Sequence, residues 1–134
     1  MSLAAIKENF TPVFRDIRER STVADRFIDR DLYRVYICTL WSNVVLSPDE
    51  VGLEEEDLED LHDVVLAEIN DAIGATESLH DVFKFIAGKA GGRAMQEARL
   101  TQSHKDLLLY FASMILDPDG HQRYMDHIRD SQKS

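Results

Sequence analysis

The sequence predicts an all-α protein, a single-domain bundle of five or six helices over residues 1–134. Three observations carry that expectation. Capping residues stand before prolines at Thr11-Pro12, Ser47-Pro48 and Asp117-Pro118, the arrangement of a helix start. Apolar residues recur at spacings of 3 and 4. Two runs, Val35 to Leu46 and Leu107 to Leu116, have no polar face and suit helices at the centre of a bundle. A content of 44% hydrophobic and 30% charged residues is that of a globular chain.

Six segments follow in order. The first, about 3 to 20, aligns Leu3, Ile6, Phe10, Val13 and Ile17 on one stripe and is expected to bend or break near Pro12. The second, about 23 to 46, opens at Thr22 with Asp25 and holds the lone cysteine, Cys38, in an apolar run. A single cysteine excludes an internal disulfide and fits a packing role in a reducing compartment. Residues 32 to 41 are also rich in β-branched and aromatic side chains, but no other segment offers a sheet partner. The third segment, about 54 to 73, carries Leu58, Leu61, Val65, Ile69 and Ala72 on one face and is stopped by Gly74. Ser47 with Glu50 has capping-box spacing ahead of it. The fourth, about 77 to 100, starts near Thr76 and contains Ala87 to Arg93. There, small residues allow another helix to approach, or Gly91-Gly92 breaks the helix. The fifth and sixth are expected at about 103 to 116 and 118 to 131. The start of the chain shows no signal-peptide pattern, and 12 uncharged residues near the middle are too few to span a bilayer, so a soluble cytoplasmic protein is expected.

Charge is segregated along this framework. From residue 35 to residue 83 there is no lysine or arginine, and these 49 residues hold 13 carboxylates. The flanks carry 7 basic against 6 acidic residues before the segment and 8 against 6 after it, so the net charge of −10 arises within it. A concentrated negative field attracts basic surfaces and repels phosphate backbones, which argues against nucleic-acid binding. Glu56, Glu59, Asp60, Asp63 and Glu68 are the candidate interaction residues. Glu68 differs from the others because the helical wheel sets it within the apolar stripe, among Leu61, Val64, Val65 and Ala72. A carboxylate there must be paired, hydrogen-bonded or protonated.

The same segment holds the patterns that bear on metal chemistry. Glu59-x-x-His62 and Glu77-x-x-His80 each set two ligands on one helix face, the spacing of di-metal carboxylate bundles. If the third and fourth segments form a hairpin turning at residues 74 and 75, the two histidines stand about 12 Å apart along the axis and cannot share one centre. That register also sets Arg93 opposite Asp57. Glu55-Glu56-Asp57-Leu58-Glu59 is similar to the Glu-Glu-x-x-Glu motif of all-α nucleotide pyrophosphohydrolases of the MazG type. The likeness covers about 30 residues and implies Mg²⁺ held by Glu55, Glu56, Glu59, Glu77 and Asp81. The sequence departs from that pattern by placing His80 where the family has an aspartate, and Mg²⁺ favours oxygen ligands.

Other motifs carry less. Ala87 to Arg93 lacks the spacing and the Ser or Thr of a phosphate-binding loop. Asp117 to Gly120 lacks the series of a calcium loop and reads as a turn. His121, Asp126 and His127 read as surface residues, and no histidine has a recognisable serine or cysteine nucleophile. The expectation is a non-enzymatic regulatory or adaptor protein without a cofactor, presenting an acidic helix to another protein with a basic surface. The Mg²⁺-dependent enzyme is the alternative. The apolar stripe of the first segment, with two wholly apolar helices, could also support a homodimer.

Overall fold

The computed structural model describes residues 2–23, 27–74, 76–117 and 119. They form six helices and no strand: α1 Leu3–Ser21, α2 Arg30–Leu46, α3 Leu58–Ile73, α4 Leu79–Ala87, α5 Lys89–Glu97 and α6 Gln102–Leu116. The expected helix at 118 to 131 lies outside the described residues, as do Asp25, His121, Asp126 and His127.

Helix α1 begins at Ser2, whose hydroxyl accepts from the Ala5 N–H at 3.2 Å, and runs through Pro12 without interruption. Thr11 is therefore not a cap; its hydroxyl donates to the Lys7 carbonyl at 2.8 Å. An interior proline costs a helix about 3 kcal/mol. Burial of Ile6, Phe10, Phe14 and Ile17 on the inner face offsets that cost. The stripe turns on Phe14 in place of Val13, which is partly exposed, because 10–14–17 satisfies helical spacing as well as 10–13–17 and places the larger ring inside. Thr22 ends α1 rather than opening α2, and donates its hydroxyl to the Arg18 carbonyl. The chain then turns through an isolated antiparallel bridge between Thr22 and Ile28. The true start of α2 is Asp29, which accepts from the N–H groups of Asp31 and Leu32 at 2.9 and 3.0 Å.

Helix α2 is the centre of the bundle. It touches α1, α3, α4, α5 and α6, and buries Tyr33, Val35, Ile37, Cys38 and Val44. Cys38 is free and fully buried, and burial pushes its thiol well above the usual range, so packing is its role. Ser47-Pro48 opens a 3₁₀ turn, Pro48–Val51, and not a long helix; Ser47 makes no side-chain cap. A second 3₁₀ turn, Glu55–Asp57, leads into α3, where the Glu54 N–H donates to the Asp57 carboxylate at 2.9 Å. Gly74 closes α3 at φ +63°, the left-handed conformation glycine adopts without a steric penalty.

Residues 77 to 100 do not form one helix. Ser78, rather than Thr76, caps α4 in a reciprocal box with Asp81, and the chain breaks at Gly88 into α4 and α5. The break precedes Gly91-Gly92 by three residues because Gly91 lies against the end of α4 instead of interrupting the helix. Helix α3 packs on α1, so the α3–α4 hairpin is not formed and Arg93 is not set opposite Asp57 by it. Helix α6 lies against α4 and α2, burying Leu108, Phe111 and Ala112. No helix among the described residues is long and apolar enough to cross a membrane.

Candidate functional site

Two arginines decide which of the 13 carboxylates remain open to a partner. Arg18 stands near the end of α1, facing the end of α3. Its Nε and terminal nitrogen donate to the two oxygens of Glu68 at 2.8 and 2.7 Å, and the same terminal nitrogen reaches Asp71 at 2.8 Å. From α2, the buried Tyr33 hydroxyl donates to Glu68 Oε2 at 3.0 Å. The wheel position of Glu68 is thus explained: it ties α1, α2 and α3 together at one point, with only 12% of its side chain exposed. Bonding to Glu68 and Asp71 raises the Arg18 pKa further above its already high value. Burial raises that of Tyr33, and the charge on Glu68 adds to it. The oxygens of Glu68 are accordingly committed within the bundle.

Arg34, in the second turn of α2, holds Glu77 in the same forked manner and also bonds Asp31 at 3.2 Å. Its guanidinium lies over the Phe85 ring of α4 at 5.2 Å. This node fastens the loop before α4 onto α2.

The proposed metal ligands are not brought together. Glu77 is occupied by Arg34, Asp81 is occupied by the Ser78 capping box, and Glu55, Glu56 and Glu59 lie exposed at the start of α3. Among the described residues no group of three His, Cys, Asp or Glu side chains is arranged to hold a metal. The two histidines behave unexpectedly. With no α3–α4 hairpin, His62 and His80 line one shallow apolar pocket of about 420 Å³ together with Trp41, Leu79, Phe111 and Met114. His62 sits edge-on to Trp41 at 5.8 Å between ring centres. Hairpin arithmetic on the sequence could not find this pairing, because it assumed the wrong neighbour for α3.

What remains open is the approach to α3. Asp49 and Glu50 are exposed in the first 3₁₀ turn, and Glu54, Glu55 and Glu56 around the second; Glu59 and Asp63 are exposed on α3, with Asp60 half-buried. Among the described residues no lysine or arginine forms an ion pair with Glu54, Glu55, Glu56, Glu59 or Asp60. The crowding has a measurable sign. The Glu56 carboxyl is pushed above its usual value by a hydrogen bond shared with Glu54 and by the charges of Glu54 and Asp57. Ionisation of Glu56 therefore opposes the folded state, so its contribution to stability is lost as pH rises through its raised pKa. Glu54→Gln should bring the Glu56 titration back toward the ordinary glutamate range, followed by side-chain carboxyl NMR. An unchanged titration would show that Glu54 is not the cause.

Beside this surface, α1 and α3 enclose a groove of about 530 Å³. Leu3, Phe14, Val64 and Ala67 supply its apolar lining; Asp63 and Asp71 border it on the α3 side, and Lys7 and Thr11 on the α1 side.

Comparison with known proteins finds no matching family model, no matching curated protein and no matching solved structure. The likeness that includes Glu55 to Glu59 therefore stands without further support.

Proposed function

We propose that this protein is a non-enzymatic regulatory or adaptor module that presents the acidic start of α3 to a partner protein with a basic surface. An inhibitor or immunity-type protein that neutralises a cationic partner is one form such a module takes. The observation supporting it is the division of labour among carboxylates. Glu68, Asp71 and Glu77 are neutralised by Arg18 and Arg34, while Glu54, Glu55, Glu56, Glu59 and Asp60 have no such cation among the described residues. Like charges one turn apart cost a helix a few tenths of a kcal/mol (about 0.2–0.5 per pair), so stability alone does not favour the arrangement. Interleaved lysines would have served solubility equally well.

Polylysine at low ionic strength is a suitable probe. Its addition should shift backbone amide NMR signals of residues 49–63 and leave those of α5 unmoved. Salt should reverse the shifts, because exposed charges are screened beyond about 10 Å at 0.1 M. Shifts spread evenly over the molecule, or none at all, would overturn the proposal.

A further inference from the structure

We infer that the groove between α1 and α3 is a docking site for a cationic amphipathic helix of about three turns. This inference rests on the acidic-surface reading and names the form its partner takes. Three features of the groove support it. The first is length. Leu3, Lys7, Thr11 and Phe14 fall on one side of α1 at spacings of 4, 4 and 3, and Asp63, Ala67 and Asp71 follow one another along α3 at spacings of 4. The α1 row spans about 16 Å of helix, the length of three turns, and the α3 row about 12 Å.

The second is an apolar floor left open to solvent. Leu3 is 51% exposed although it begins the α1 stripe, and Ala67 leaves a shallow place in the middle of the opposite wall. An apolar row at i, i+3/4 and i+7 on an incoming helix would cover these residues, which is how amphipathic helices bind grooves.

The third is charge. The α3 wall carries Asp63, whose side chain is 71% exposed, and it continues directly into Asp60 and Glu59, while Asp71 at its far end is already held by Arg18. Among the lining residues the α1 wall carries one cation, Lys7, and Arg18 beyond it is committed to Glu68 and Asp71. The occupant therefore has lysines or arginines along the edge facing α3 and a polar or acidic position facing Lys7. An acidic or wholly apolar helix would meet repulsion or leave the carboxylates desolvated.

The test uses a fluorescently labelled amphipathic peptide of leucine and lysine, a scrambled peptide of the same composition, and polylysine. Two groove variants are compared with the unaltered protein: Ala67→Trp, which fills the floor without changing charge, and Leu3→Glu, which adds a negative charge at an exposed site. The amphipathic peptide should bind saturably, one per protein. Both variants should weaken it at least about tenfold, Leu3→Glu despite its added attraction, while polylysine binding is retained. The scrambled peptide should behave as polylysine does. Circular dichroism verifies that each variant is folded, and the two substitutions act at different helices, so one misfolded variant does not remove the test. Equal affinity of the amphipathic peptide for both folded variants and the unaltered protein would overturn the groove site and leave the acidic surface standing. Failure of polylysine to bind the unaltered protein would overturn the acidic surface itself.

Discussion

Gly91→Ala is expected to destabilise the protein by about 3 kcal/mol or more, far beyond what one methyl group normally does. A Cβ at Gly91 would stand 2.2 Å from the Phe85 carbonyl oxygen, 2.6 Å from that of Ile86 and 2.7 Å from the Ile86 Cα. All three atoms are backbone of α4 and cannot rotate away. The chain folds back at Gly88 so sharply that the first turn of α5 lies on the last turn of α4, and α5 must withdraw to admit a methyl group. Withdrawal would expose Ala94 and Met95, which are buried on its inner face. The adjacent Gly92 supplies the control. A Cβ there meets nothing within 4 Å, so Gly92→Ala should stabilise α5 by roughly 0.5–1 kcal/mol through helix propensity. Thermal unfolding should move in opposite directions for the two variants, downward by on the order of 10 °C for Gly91→Ala. Matching melting temperatures would mean that α4 and α5 do not pack this closely.

Glu68→Gln carries the second large effect, a loss of about 2 kcal/mol from a nearly isosteric change. The Arg18 fork loses its charged acceptor, and the buried Tyr33 hydroxyl loses half of a charge-assisted bond. A fully buried pair would cost more when broken, but the Arg18 side chain is 34% exposed and water recovers part of the loss. Denaturant unfolding should show the decrease in midpoint without a change in slope. A double-mutant cycle with Arg18→Met should give a coupling of about 1 kcal/mol or more, and additivity would show that the fork does not form.

The fold class was legible in the sequence because helix caps and apolar periodicity are local properties. Gly74 follows from the left-handed backbone that glycine adopts, and most of the inner faces of α1 and α3 follow from spacing. Errors arose where two local patterns competed. Phe14 and Val13 are equivalent by spacing, and ring size decided between them. Thr11-Pro12 has the form of a helix start, yet tertiary burial on both sides of it carried the helix through. Thr22 and Asp29 are both capping residues, and the short bridge between Thr22 and Ile28 selected the second.

The candidate site was legible only in part. That Glu68 required a partner followed from its wheel position, but the identity of Arg18 and Tyr33 did not, because 50 and 35 residues separate them from Glu68. Glu77 has the spacing of a metal ligand, and nothing local in the sequence indicates that Arg34, 43 residues earlier, lies across from it. Sequence revealed the excess of negative charge, and tertiary contacts determined which carboxylates were left to express it.

That remainder is tested most directly by charge-matched variants and their affinity for polylysine at low salt. One variant neutralises Glu55, Glu56 and Glu59 to glutamine; the other neutralises Glu8, Glu97 and Asp106, exposed residues on α1, α5 and α6. Both change the net charge by the same amount. Binding should weaken at least about tenfold in the first and by less than about twofold in the second. Equal weakening in the two would show that only net charge matters, and the acidic start of α3 would then be no interaction surface.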